Sequence, residues 1–181
     1  MDEDTRLIEE YLAGSEAAIE ELVRRHQRQL YAFIYRMVTD MEETKDLTQK
    51  AFISAVKGLK HYKAESSFKT WLYRIALNTC HNHFKQNRHE KVELEENIPS
   101  NQAGTLTNLI DKEKKEEIRR GLNTLPERQR LAVVLRTYNG LSCEETAKVM
   151  GCSEGAVKSH YHLGVRKLRE IFRGRGYEIK S

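Results

Sequence analysis

Glu154, Lys158, Ser159, His162, Arg166 and Arg169 recur at spacings that place them on one face of a helix, with Ser153 just ahead of it. Short polar groups come first along that face and cations follow. Such an order suits a major groove, where the helix start meets base edges and the later cations meet phosphates. An ordinary helical hairpin with a solvated basic face is the plainer alternative. Catalytic chemistry finds no support: there is no nucleophile–base pair, no glycine-rich phosphate loop and no paired-carboxylate motif. Cys80, His81, His83 and His89 crowd together, but Cys80-His81-x-His83 on one helix fans its side chains around the cylinder. Cys143, Cys152, His160 and His162 match no common zinc spacing either. No catalytic residue, metal or cofactor is therefore expected.

The basic face must be held by local structure, and the sequence supplies it. Ser142 with Glu145 forms a capping box, Ala147 and Met150 give a short apolar face, and Gly151 ends the helix in the left-handed region. Ser153 caps the next helix, whose inward stripe is Val157, Tyr161, Gly164, Leu168 and Ile171. Together these spell a helix-turn-helix. Ahead of it, Thr124 to Glu127 reads as another capping box, followed by Leu131, Val134, Leu135 and Tyr138 at core spacing and a stop at Asn139-Gly140.

The N-terminal half has its own helical periods. Leu7, Ile8, Tyr11 and Leu12 form a short amphipathic helix ending near Gly14, and Ser15 is placed to cap a long one running from Ile19 to Val38. Asp40, Glu42 and Glu43 open a third, with Leu47, Ala51, Phe52, Ala55, Val56 and Leu59 inward and Asp46, Gln49 and Lys50 outward. A polar loop then leads into a helix from about Phe68 to Gln86, with Phe68, Trp71, Leu72, Ile75, Ala76 and Cys80 on its core side. The chain is predicted to be all-α: two small helical domains, 1–88 and 113–181, joined by a flexible acidic linker, 89–112, that carries Glu93, Glu95 and Glu96. The last residues, Gly174 to Ser181, read as frayed.

Charge sorts along the chain in the same way. Residues 51–90 hold seven bases and two acids, and 118–181 hold thirteen and six, while 91–117 hold seven acids and four bases. Two basic blocks about an acidic one suggest two nucleic-acid contacts with a segment between them that avoids DNA. No signal peptide and no apolar run of membrane-spanning length is found, so no membrane insertion is expected. Three scattered cysteines fit reduced thiols in a cytoplasm.

Four stretches in order carry a resemblance: Asp46-Leu-Thr-Gln-Lys-Ala-Phe52, Ser67-Phe-Lys-Thr-Trp-Leu-Tyr-Arg-Ile-Ala-Leu-Asn78, Leu125-Pro-Glu-Arg-Gln-Arg130 and Asn139-Gly-Leu-Ser-Cys-Glu-Glu-Thr-Ala147 with the helix after it. The chain resembles the extracytoplasmic-function group of bacterial sigma factors, the promoter-recognition subunits of RNA polymerase. The resemblance implies that Asp46 and Gln49 dock on the core enzyme, with Lys50 standing where the family usually has an acid. It implies that Lys60, Tyr62, Lys63, Phe68, Lys69, Arg74, Asn78, Lys85 and Arg88 serve the −10 element, whose displaced strand gives up a flipped base to the loop before the Trp71 helix. Tyr62 or Phe68 offers the stacking ring, Tyr62 being the better placed, while Trp71 is assigned to the core. For the −35 element it implies Ser153, Glu154, Lys158, Ser159, His162, Arg166 and Arg169. The positions of His160, Leu163 and Val165, often Arg in the family, have lost their cations. The implied partners are the RNA polymerase core enzyme, promoter DNA and an anti-sigma factor.

Such a chain needs a partner to open DNA. Unpairing on the order of ten base pairs costs ~1.4 kcal/mol per step, and each captured base returns only ~1–3 kcal/mol by stacking. A chain of this size can trap an opening but cannot drive one. The competing reading is a helix-turn-helix regulator with an N-terminal sensory or interaction domain. It owes nothing to Asp46, Gln49 or the Trp71 string.

Overall fold

The computed structural model describes residues 2–90 and 116–173, with side chains described as far as Gln86 in the first block. Every regular element among the described residues is helical. The first bundle comprises α1 (Glu3–Leu12), α2 (Glu16–Val38), α3 (Met41–Gly58), a 3-10 turn (Leu59–His61) and α4 (Phe68–Glu90). The second comprises α5 (116–123), α6 (Glu127–Val133) running into a π turn (Val134–Tyr138), α7 (Cys143–Met150) and α8 (Glu154–Arg173). The linker carboxylates Glu93, Glu95 and Glu96 lie outside the described residues, as do Gly174–Ser181.

Three-to-four-residue periodicity builds the first core. Leu22, Leu30, Phe33, Ile34 and Met37 of α2 meet Leu47, Ala51 and Ala55 of α3 and Leu72, Tyr73, Ala76 and Cys80 of α4, all buried. Each large side chain so placed contributes roughly 1.5–3 kcal/mol relative to exposure. Asp40 fixes the start of α3 by accepting from the Glu43 backbone N–H at 2.8 Å. Leu7 and Ile8 pin α1 to the bundle, whereas Leu12 is half exposed rather than in the core. Ser15 occupies the N-cap of α2 without a side-chain bond to its backbone.

In the second bundle Leu122, Leu125, Leu131, Val134, Leu135, Leu141, Val149 and Val157 are buried together. Gly164 has a specific task. A Cβ there would come within 2.8 Å of the Val133 side chain and 3.2 Å of the Gln129 carbonyl, so only glycine lets α8 approach α6 this closely.

Two local expectations fail here for stated reasons. Thr124 to Glu127 is not a capping box, because α6 starts after Pro126 and the Thr124 hydroxyl instead donates back to the Gly121 carbonyl at 2.7 Å. The helix does end at Asn139-Gly140, with Asn139 as its C-cap and Gly140 at φ 65°, but Tyr138 does not reach the core because the last turn is not α-helical. It widens into the π turn, closed by Asn139 N–H to Val134 O at 3.2 Å. The wider turn leaves Tyr138 41 % exposed, where a core position was expected, and turns Asn139 inward.

Candidate nucleic-acid interface

The helix-turn-helix is built as its residue types dictate. Ser142 Oγ accepts from Glu145 N–H at 3.1 Å and Glu145 Oε2 accepts from Ser142 N–H at 2.7 Å, completing the capping box. Gly151 ends α7 at φ 61°, and Ser153 Oγ accepts from Ala156 N–H at 3.2 Å to start α8. Val157 and Gly164 are buried and Tyr161, Leu168 and Ile171 half-buried, so the opposite face is turned outward. Ser153, Glu154, Lys158, Ser159, His162, Arg166 and Arg169 are all exposed. Lys158, Ser159, His162, Arg166 and Arg169 make no side-chain hydrogen bond or ion pair among the described residues. Their donors are available to a ligand.

A second surface surrounds the loop before α4. A cleft of about 340 Å³ is lined by His61, Tyr62, Lys63, Glu65, Ser66, Thr70, Trp71 and Arg74. Tyr62 OH donates to Ser66 O at 2.6 Å, drawing the loop closed around its own ring. Trp71 rests on the backbone of Gly58, where a Cβ would come within 3.1 Å of the indole. Trp71 is thus half-buried and a wall of the cleft as well as a packing residue. Phe68 is only 3 % exposed, so it backs the cleft and has no open face on which a base could stack. Exposed Lys60 lies beside the loop, and Arg74, Asn78 and Lys85 continue as an exposed stripe along α4. Arg88 falls in the last turn of α4, where side chains lie outside the described residues.

On α3, Asp46, Gln49 and Lys50 are exposed on one face, and Ile53, 46 % exposed, follows them one turn on. Lys50 Nζ lies 2.6 Å from Asp46, so the basic residue is paired with the carboxylate it follows by one turn.

The two bundles meet across the start of α4, a contact that local sequence patterns did not announce. Glu145 reaches beyond its own helix and accepts from Thr70 Oγ1 at 3.2 Å and Ser67 Oγ at 3.4 Å. Burial disfavours its charge, yet hydrogen bonds from Ser142, Thr70 and Ser67 outweigh that and hold its carboxyl below the usual glutamate range. Lys69 Nζ donates to Asn139 O at 2.7 Å, and Asn139 Nδ2 donates to Tyr73 OH at 2.6 Å in the buried centre of the contact. Burial pushes the Tyr73 phenol up to about 12, against the opposing influence of Asn139 and Arg36. At the margins, the Arg36 guanidinium stacks 4.3 Å from the Tyr138 ring centre, and His81 Nε2 lies 2.7 Å from Glu127 Oε1. Lys148 lies over the cleft itself, 3.5 Å from Glu65 O.

No metal grouping occurs among the described residues. Cys80 is buried, its thiol pushed up to about 12 by that burial, while His81 pairs with Glu127 and His83 with Glu43. No helix among the described residues is long and apolar enough to cross a membrane.

The Sigma-70 region 2 family model matches residues 22–90 and the Sigma-70, region 4 model matches residues 115–168. The chain is 34 % identical over 173 residues to the RNA polymerase sigma-H factor of Pseudomonas aeruginosa, covering 87 % of this chain and 88 % of that one. It is 33 % identical over 167 residues to the ECF RNA polymerase sigma-E factor of Escherichia coli, covering 86 % and 87 %. In fold it is similar to CnrH, solved in complex with the cytosolic domain of CnrY (TM-score 0.75, 22 % identity, 96 % of this chain and 99 % of that one). It is similar also to the sigma factor RpoE from Bartonella quintana, solved in complex with the anti-sigma factor NepR (TM-score 0.72, 22 % identity, 85 % and 96 %). Matched by region 2 and region 4 and aligned with whole sigma factors along most of its length, the chain belongs to the extracytoplasmic-function group of the sigma-70 family, the non-enzymatic subunits that bring core RNA polymerase to promoter DNA.

Proposed function

We propose that the chain reads a promoter with two separate surfaces, the cleft before α4 for the −10 element and the outer face of α8 for the −35 element. The observation that carries this reading is the cleft: an aromatic wall of Tyr62 and Trp71 bordered by Lys63 and Arg74, which suits a stacked, unpaired base with its backbone beside it. Lys60, Lys69, Asn78 and Lys85 extend that surface, with Phe68 as its support. On α8, Ser153, Glu154, Lys158, Ser159 and His162 take base edges, and Arg166 and Arg169 take phosphate. Asp46 and Gln49 form the docking face for core polymerase, with Lys50 moderating its charge. The same reading divides the chain into 1–88, a linker at 89–112, and 113–181.

The cytoplasm, where polymerase and DNA meet, is the place of action under this reading. Control by an anti-sigma factor is part of the proposal, supported by the fold shared with RpoE, whose solved partner is NepR. Because Asn139 holds Lys69 and Glu145 holds Ser67 and Thr70 beside it, that edge of the −10 surface is freed only when the bundles part, while Arg74, Asn78 and Lys85 stay exposed.

The test is transcription by reconstituted core polymerase with and without the full chain, with the RNA 5′ ends sequenced. New start sites that depend on the chain, preceded by two spaced sequence elements, are expected. Identical starts without the chain would overturn the reading.

A further inference from the structure

We infer that the buried Asp4–His26 pair is a positioning element for the base-capturing cleft, acting through Phe68. This rests on the reading of the cleft given above. Helix α1 lies ahead of the span matched by region 2, which begins at residue 22. Leu7 and Ile8 already anchor it by apolar burial. Yet α1 also carries the one buried carboxylate among the described residues, Asp4, 7 % exposed. Burying a carboxylate is costly unless it is paired and hydrogen-bonded, and replacing such a pair with apolar groups is often neutral for stability. Anchoring alone therefore does not account for it.

Its partners point toward the cleft. Asp4 Oδ2 lies 2.7 Å from His26 Nε2, and Oδ1 accepts from Arg25 Nε at 3.0 Å, so both carboxylate oxygens are engaged and the imidazole is fixed in orientation. The His26 ring then meets Phe68 edge-on, with centroids 5.3 Å apart and planes at 66°. Phe68 in turn meets Tyr62 at 6.1 Å and 90°, and Trp71 at 5.8 Å. Tyr62 and Trp71 lie 5.1 Å apart and form the aromatic wall. Three successive contacts thus run from a carboxylate on α1 through His26 and Phe68 to the surface that would stack a base. An aromatic edge-to-face contact depends on ring angle, so a histidine released from Asp4 ceases to define where Phe68, and hence the wall, stands. Asp4 and His26 touch no DNA in this arrangement. They set the shape of what does.

The experiment uses the full chain in holoenzyme on a promoter series in which each non-template −10 position in turn takes all four bases. Asp4→Ala and His26→Ala are expected to reduce the ratio of best to worst base at the captured position by about fivefold or more. Ile8→Ala, which loosens the same helix through its apolar anchor, is expected to lower Tm comparably while leaving that ratio within about twofold of the parent. Asp4→Asn, isosteric and still able to accept from His26, is expected to keep at least half of the preference. It also carries the test if Asp4→Ala does not fold. An equal change in the ratio for Ile8→Ala and Asp4→Ala overturns the inference, as does no change in any α1 variant. Tyr62→Ala separates the two levels. Should it abolish the preference while the Asp4 and His26 variants keep it, only the positioning role falls. Should the preference survive Tyr62→Ala, the cleft reading falls and takes the inference with it.

Discussion

The two candidate reading surfaces are built alike and presented differently. On α8 Lys158, Arg166 and Arg169 point outward and make no side-chain hydrogen bond or ion pair among the described residues, and a capped helix start holds them in place. At the start of α4 the polar edge is engaged, although Arg74, Asn78 and Lys85 farther along the helix are exposed. Ser67 and Thr70 donate to Glu145, Lys69 to Asn139 O, and Tyr73 accepts from Asn139. One surface is open as it stands, while one edge of the other is held by its neighbour. On the proposed reading, the difference follows from what each would bind. A preformed groove reader needs only a rigid helix, whereas a cleft for an unpaired base has no ligand until the duplex opens, and its polar rim needs partners meanwhile.

The sharpest way to break that contrast is to damage each reader separately. Lys158→Ala is expected to lower transcription about 10-fold or more from a matched promoter, consistent with ~1–3 kcal/mol for a good base contact. It should do nothing further on templates whose −35 element is already scrambled. Asn78→Ala should show the mirror pattern, its loss depending on the −10 base. Equal losses on every template would mean general destabilisation and would erase the distinction.

Next in size is the packing beneath the open reader. Gly164→Ala places a methyl against Val133 and the Gln129 carbonyl and is expected to cost about 1–3 kcal/mol. Thermal unfolding followed by hydrogen exchange should show protection lost in α6 and α8 and kept in α2 and α3. Loss throughout both bundles would show that they are more tightly coupled than their separate cores suggest.

The held surface can be released in the same graded way. Tyr73→Phe strands the buried Asn139 amide and is expected to weaken the contact between the bundles by about 1–2 kcal/mol. Small-angle scattering should then report a larger radius of gyration, with the helical content unchanged. Acid is a second route. Because the Glu145 carboxyl is held below its ordinary range, its stabilising contribution is complete above that range and disappears as pH falls through the lowered value. Compaction should therefore persist at neutral pH and relax in acid, and Glu145→Gln should flatten that dependence.

The smallest effect concerns neither reader. Lys50→Ala removes the ion pair on Asp46, which is exposed and of the i,i+4 kind worth about 0.3–0.5 kcal/mol. Binding of core polymerase should tighten by about twofold, most visibly at low salt, while promoter preference stays the same.

Much of this is legible in the sequence, because the relevant forces act over four residues. Helical period identifies the apolar stripes of α2, α3 and α8, and the Ser142–Glu145 box, the left-handed Gly151 and the Ser153 cap each close within one turn. Those suffice for an all-helical chain with a helix-turn-helix whose basic face is exposed. The same local rules misread Thr124, whose hydroxyl turns back to Gly121, and Tyr138, which a π turn swings out over Arg36.

Tertiary structure alone decided which residues meet across long stretches of chain. Asp4 finds His26, Thr70 finds Glu145 and Tyr73 finds Asn139, pairs separated by 22, 75 and 66 residues. No periodicity encodes them, since a polar side chain's local surroundings are the same whether its partner is water or a distant helix. Glu145 shows both kinds of information in one residue. Its role as a helix cap is written three positions away, but its grip on the opposite bundle exists only because folding brings α4 within reach.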